Sequence, residues 1–569
     1  MAVRFVVDLS ESYRKILKVK MFLKGSNEVV SMPVWAPGSY LVRDYSRNIS
    51  SISVEDGTMV QLDKTTWSVT SNTDEIALSY EIYADDLSVQ GTYADDSLVL
   101  LNGTSIFLYP RNAGQVSYEV ELLNYGDKNI STGMRKEGEL YEAENYDQLV
   151  DSPILISRHS IERFDALGKK HTVAIHGFLN HDKTKFVEDL RKIVISEGGI
   201  FGSLPYENYT FIVVLLPDDI SGGLEHKNST VIFSNQQNIV KDFDYKNFLS
   251  IFSHEFFHTW NVKRIRPKTL GPFDYSKENY TDMLWFSEGF TSYYEWLTLW
   301  RAGIVNEKEY FEHLAEMINY YRFIPGHNTP ASLSSFNTWT KLYKPNGDII
   351  NSYVSYYLKG ELIAFALNIH ILRESSGSIS LDDVFRALYA DYVNRNRGIT
   401  YRELKEFINK TLKKNIDKFV DDLVTSSKEL DFENYLKSLS YGFKYSFHDG
   451  NKDPSATTGI VIQNNSGKYT VSGVIKGYPA HDAGINAGDE LVSINGTRFS
   501  DNYTREFSKE MKRFKIDDLK ESMPGDEIIL HIFRKNVLRE IHMNAVEEPK
   551  WMNLEKAGEN ALIDKILRG

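Results

Sequence analysis

The chain has 569 residues, 42% of them apolar and 25% charged, the composition of a globular protein of several domains. A net charge of −13, from 65 basic and 78 acidic residues, argues against nucleic acid or an anionic membrane as its main partner. With no cysteine, disulfides, thiol catalysis, iron–sulfur clusters and cysteine zinc sites are excluded, and any metal must be held by His, Glu or Asp.

Residues 1–15 read as a short strand followed by charges, without the apolar core and cleavage site of a signal peptide. The most apolar runs, near 211–216 and 362–372, are too short to span a membrane. The expectation is a cytoplasmic protein with no membrane partner. Residues 1–165 hold short, largely alternating runs at 17–23, 28–34, 75–83 and 116–123, parted by turn signals at Gly25-Ser26, Gly57 and Gly126-Asp127. This predicts an N-terminal antiparallel β-sandwich. Three loops, 35–40, 101–105 and 146–153, are rich in turn and aromatic residues. They either pack turns or border a cleft.

From 166 to 437 strands mix with helices, with a strand-rich part at 166–240 and a helical part at 241–437. A helix is predicted over 183–198 and an apolar strand over 209–216, ended by Pro217. Ser221-Gly222-Gly223-Leu224-Glu225-His226 follows, then a second strand at 230–233. Gly222 and Gly223 allow a substrate backbone to approach closely. Glu225 is either a surface carboxylate or the partner of a positive substrate amine.

The segment 253–260, SHEFFHTW, contains H-E-x-x-H at His254-Glu255-Phe256-Phe257-His258. Residues four apart share a helix face, so the two imidazoles can bind one zinc ion. Glu255 is then placed to take a proton from the attacking water. Phe248, Phe252, Phe256 and Trp260 recur every four residues on roughly the opposite face, which anchors the helix in a core. The basic run Lys263-Arg264-Ile265-Arg266 complements the helix end or holds a substrate carboxylate. A second long helix is predicted over 281–302. It carries Glu288, thirty positions after His258. A His₂Glu set keeps a fourth position open, as a catalytic zinc requires. Glu295, seven residues on, can bond the far nitrogen of a ligand histidine or form a surface ion pair.

Asn306 and Glu309 form a capping-box pattern, and Thr400 and Glu403 mark another helix start. A long helix is predicted over 351–372, carrying Tyr356 and Tyr357. One of these tyrosines facing the metal would stabilise an oxyanion; otherwise the pair packs. Residues 438–569 change character again, to short strands with glycine turns and a helical tail.

Taken together, these residues resemble the glycyl aminopeptidase family of zinc metallopeptidases, related to the aminopeptidase N group. The marks are WAPGSYLVRD at 35–44, YDQLVDSP at 146–153, GGLEH at 222–226, HEFFHTWNVKRIRP at 254–267, WFSEGFTSYYE at 285–295 and YYLKG at 356–360. The resemblance implies a multidomain α+β protein: an N-terminal β-sandwich, a thermolysin-like (gluzincin) catalytic region and a C-terminal β domain. It further implies zinc on His254, His258 and Glu288, with Glu255 as general base. Glu225 is implied as the anchor of a free α-amino group and Tyr357, rather than Tyr356, as the oxyanion stabiliser. The implied substrates are peptides with a free N-terminus, with glycine or alanine first. His226 stands where the aminopeptidase N motif has Asn, so that residue's role does not carry over.

The string P-A-x-x-A-G-I-x-x-G-D-x-L-x-x-I-N-G from Pro479 resembles a bacterial-type PDZ domain. This implies capture of a peptide C-terminus, with Tyr441-Gly442-Phe443 expected as the carboxylate-binding loop. Two other readings stay open. One is an endopeptidase to which the PDZ-like domain presents substrates. The other is a non-catalytic peptide-binding module.

Overall fold

Strict alternation builds the N-terminal part. In Ile16–Lys24 and Glu75–Tyr83 every second side chain is buried. The computed structural model describes residues 2–112, 114, 116–218, 220–237, 239–447, 456–506, 515–519 and 522–569. The chain divides into two units. The first comprises Met1–Thr281, Tyr294–Ile304 and Phe385–Tyr401, the second Asp282–Tyr293, Val305–Val384 and Arg402–Gly569.

In the first unit a seven-stranded sheet and a four-stranded sheet enclose one core, with Val3, Phe5, Val19, Met21, Trp67, Leu78 and Val120 among its buried residues. The expected sandwich is present, but not wholly antiparallel. Ala2–Asp8 pairs in parallel with Ser117–Leu123 and antiparallel with Ile16–Lys24. The hundred-odd residues between the two parallel strands supply the long return that parallel pairing needs.

A five-stranded sheet follows, in the order Ser160–Ala166, Lys169–His176, Asn208–Leu216, Ser229–Asn235, Gly222–Glu225. Its middle three strands are parallel, and the helix Lys183–Phe201 lies between the first two in sequence. Gly222–Glu225 is an antiparallel edge strand packed beside the helix Asp242–Phe257. That edge carries Glu225 to the metal-motif helix.

The second unit holds helices and a PDZ-like β domain. Helix Glu307–Phe323 begins with the expected capping box, Asn306 and Glu309 bonding each other's backbone. The helix expected over 351–372 is broken. Ile349–Ser352 is a short helix, Tyr353 is extended, and Tyr356–Glu374 starts afresh with the Ser355 side chain accepting from the Tyr357 N–H. Ser prefers that capping position to a helix interior, so the break is local chemistry.

The C-terminal sheet packs Ile460, Ile462, Val471, Leu491, Ile494, Ile528, Leu530 and Ile532 into its own core. Tyr441-Gly442-Phe443 is not a loop. It opens the strand Tyr441–Ser446, which pairs antiparallel with Trp551–Lys556. Tyr441 stacks on Phe311 at 3.9 Å and its hydroxyl donates to Glu307 at 2.6 Å. Tyr441, the first aromatic of the triplet, is committed to packing. Among the described residues, no helix is long and apolar enough to cross a membrane.

Candidate active site

The helix Asp242–Phe257 is held by one aromatic face. Phe252 and Phe256 lie 6.0 and 5.8 Å from Phe211 of the central strand, and Trp260 stacks on Phe201 at 4.4 Å. Asp242 and Asp244 in its first turn suit the positive end of the helix dipole. The other face presents His254 and His258, with ring centroids 4.7 Å apart and planes at 79°.

Each imidazole is oriented from behind. His254 Nδ1 donates to Glu295 Oε2 at 3.2 Å, and His258 Nδ1 donates to the Asn261 carbonyl at 2.6 Å. Those bonds put the ring proton on Nδ1 and the lone pair on Nε2 in both rings, the arrangement a metal-binding histidine pair requires. Of the two roles expected for Glu295, the structure shows the bond to a histidine of the motif. Asn261 was not anticipated; it acts through its backbone, which leaves no signature in residue type.

Glu255, Glu225 and His258 are buried together, each offering an atom within 4.8 Å of the others. The double glycine explains how the edge strand comes so close. A Cβ at Gly223 would meet the Glu255 carboxylate, whereas Gly222, at φ +145°, faces open space. The N-terminal sandwich supplies a second wall. Gly38 of the loop 35–40 sits on Glu225, where a Cβ would lie 2.6 Å from Oε2 and 2.7 Å from Leu224. Trp35 of the same loop donates its Nε1 to the Asp274 carbonyl at 2.9 Å and packs edge-on against Phe273. Of the three rich loops, 35–40 thus borders the acidic cluster directly, and 146–153 reaches it through Asp151.

Two carboxylates this close need a counter-charge. Lys263 Nζ stands 3.6 Å from Glu225 and 3.0 Å from Asp151. Asp151 also accepts from His226 Nδ1 at 3.3 Å and from the Lys227 N–H at 2.7 Å. Burial pushes the Asp151 carboxyl up, but the Lys263 ammonium and His226 outweigh it and hold it well below the usual carboxylate range. Burial likewise pushes Lys263 down, and Asp151 and Glu225 together keep it above its ordinary value. The network joins YDQLVDSP, GGLEH and the basic run after the metal motif. The sequence marked all three segments, but nothing in it paired them.

The second unit carries the other two residues expected to serve hydrolysis, Glu288 and Tyr357. Glu288 is 2% exposed and lies on a π-helical turn, Trp285–Gly289, of a kind common at functional sites. That turn crosses the helix Tyr356–Glu374 at a glycine pair, where a Cβ on Gly289 would stand 2.3 Å from the Gly360 Cα. The two adjacent tyrosines differ in surroundings. Tyr356 is fully buried and its hydroxyl accepts from Thr338 Oγ1 at 3.3 Å. Tyr357 is partly exposed at the first turn. Burial and the neighbouring Glu288 carboxylate raise its hydroxyl well above the ordinary value, which keeps it a proton donor.

A chelating imidazole pair with a buried glutamate beside it, on an α/β scaffold, is the equipment of a metallopeptidase. The family model of the M61 glycyl aminopeptidase matches residues 247–363, that of the M61 N-terminal domain residues 4–158, and that of the PDZ domain residues 470–506. The chain thus carries an M61 glycyl aminopeptidase domain, an M61 N-terminal domain and a PDZ domain. Among solved structures, an aminopeptidase N family protein from Idiomarina loihiensis is 27% identical. The match covers 99% of both chains with a TM-score of 0.91. An M1 zinc metallopeptidase from Deinococcus radiodurans is 13% identical, over 76% of this chain and 94% of that one, with a TM-score of 0.49. Yeast LTA4 hydrolase is 13% identical, over 76% and 68%, with a TM-score of 0.47. No curated protein matches the sequence.

Proposed function

We propose that this metallopeptidase is a zinc-dependent aminopeptidase that removes single residues, glycine or alanine first, from peptides with a free N-terminus. The observation that carries the reading is the convergence of Glu225, Glu255 and His258 within 4.8 Å. A carboxylate that binds an ammonium beside a carboxylate that moves a proton leaves room for about one residue between them. Gly38 closing on Glu225 and Leu224 supports a small first side chain.

His254, His258 and Glu288 would hold the zinc, and nitrogen and oxygen donors of this kind suit that ion. When bound, zinc polarises the scissile carbonyl and makes water a nucleophile near neutral pH. Glu255 takes the proton from the attacking water and delivers it to the leaving nitrogen. Tyr357 donates its hydroxyl proton in a hydrogen bond to the developing oxyanion. Glu225 pairs with the α-ammonium and sets the register of cleavage. Lys263 stays paired with Asp151 and supplies the positive charge beside Glu225.

The test is metal analysis of the purified protein with chelator-sensitive hydrolysis of glycyl and alanyl p-nitroanilides. Glu255→Gln is expected to retain zinc and lose turnover. An N-acetylated peptide is expected to resist cleavage; equal cleavage of free and acetylated forms would sink Glu225 as amine anchor and favour an endopeptidase.

A further inference from the structure

The C-terminal β domain contains a carboxylate where a peptide-binding site would receive one. Strand Ile460–Asn465 is bordered on one side by Lys468–Val474, and on its other edge by Lys515–Asp517. The second pairing is antiparallel, Val461 opposite Ile516 and Ile462 opposite Lys515. Chain direction therefore brings Asp517 to the start of Ile460–Asn465, at the turn 457–459.

There the Asp517 side chain collects five hydrogen bonds. Oδ2 accepts from the Thr458 N–H at 2.5 Å and from Thr458 Oγ1 at 2.8 Å. Oδ1 accepts from the Gly459 N–H at 3.1 Å, the Ile460 N–H at 3.0 Å and Thr457 Oγ1 at 2.9 Å. Three successive backbone N–H groups converging on one carboxylate form an anion nest. Gly459, at φ +83°, gives the turn its shape, and a Cβ there would strike Tyr478. Asp517 is 2% exposed, and Ile516 and Leu519 are also buried.

PDZ-type recognition has two parts: an antiparallel strand added to a sheet edge, and a terminal carboxylate held by backbone N–H groups at the strand's start. Both are present, and both are made by this chain. We propose that the edge of Ile460–Asn465 is a binding site for peptides ending in a free α-carboxylate, and that Lys515–Asp517 occupies it as an internal ligand. Asp517 stands in for the terminal carboxylate. A tethered ligand acts at a high effective concentration, so an external peptide competes poorly until the internal one is removed. The site is separate from the hydrolytic residues and does not depend on their assignment.

The probe is a fluorescein-labelled Arg-Phe-Lys-Ile-Val peptide, free at its C-terminus, titrated by anisotropy into the full chain, with its C-terminal amide as control. Asp517→Ala is expected to bind the acid at least ten-fold more tightly than the unsubstituted protein does, and ten-fold more tightly than it binds the amide. Asp517→Asn, which keeps the shape and drops the charge, is expected in between. Hydrogen exchange at Glu527–Arg534 reports whether the domain core stays folded. Should Asp517→Ala lose protection there, Asp517→Asn decides, by tighter binding of the acid than the unsubstituted protein shows and than Asp517→Asn shows for the amide. No gain over the unsubstituted protein, or equal binding of acid and amide, overturns the proposal.

Discussion

Gly223 lies directly against Glu255: a Cβ at that glycine would stand 2.2 Å from Oε1 and 2.4 Å from Cδ of the glutamate. The edge strand and the metal-motif helix touch through an absent side chain. Gly223→Ala must therefore push the proposed base or the strand aside. A displacement of about 1 Å at a reacting group costs on the order of 10²-fold. We expect that loss in kcat/KM with zinc content unchanged. Near-normal rates would show that Glu255 tolerates another position.

Glu295 fixes the His254 ring through a 3.2 Å bond at Nδ1. Removing an orienting carboxylate of this kind typically weakens metal affinity by about 10–100-fold. Glu295→Gln is expected to release zinc to a chelator at correspondingly lower chelator concentration. An unchanged affinity would make the bond incidental.

Lys263 is the cation shared by Asp151 and Glu225. Lys263→Met leaves the buried Glu225 and the partly buried Asp151 without it, and breaking a buried pair from one side costs about 3–5 kcal/mol. Denaturant unfolding should show a loss of that order. Asp151, which Lys263 helps to hold well below the usual carboxylate range, should then ionise only at higher pH than in the unsubstituted protein. A stability change below about 1 kcal/mol would show that water screens the network.

His171 is 1% exposed, stacks on Phe164 at 4.6 Å and bonds the Tyr206 hydroxyl at 2.9 Å. Burial lowers its imidazole from 6.5 to about 4. The unfolded chain thus takes up a proton between pH 6.5 and about 4 that the folded chain does not. Stability conferred by the neutral ring is present above pH 6.5 and drains away as pH falls through that window. His171→Gln should cost stability at pH 7 but flatten the decline in Tm between pH 6.5 and 4.5. An equally steep decline in the variant would mean that other groups control it.

Much of the site was legible because it is local. Four-residue spacing puts His254 and His258 on one face, and the aromatic repeat from Phe248 to Trp260 says which face is buried. Asn306 and Glu309 cap a helix within one turn. The break at Tyr353 was missed because apolar and aromatic residues continue across it, while a single Ser355 cap restarts the helix. Tyr441 to Phe443 misled because an aromatic–glycine–aromatic triplet looks alike as a loop or a strand. What decides is Trp551–Lys556, more than a hundred residues away.

By itself, then, the amino-acid order determined the motif helix, the glycine-rich edge strand, the alternating N-terminal sheets and the PDZ-like string. Each follows from contacts within a few residues, where backbone geometry leaves little choice. Only the tertiary structure decided that Gly38 closes on Glu225, that Lys263 serves Asp151 and Glu225 together, and that Asp517 fills the nest at 457–460. Those relations join segments about 40 to 190 residues apart, and they are set by how sheets and helices pack rather than by any neighbour in the chain.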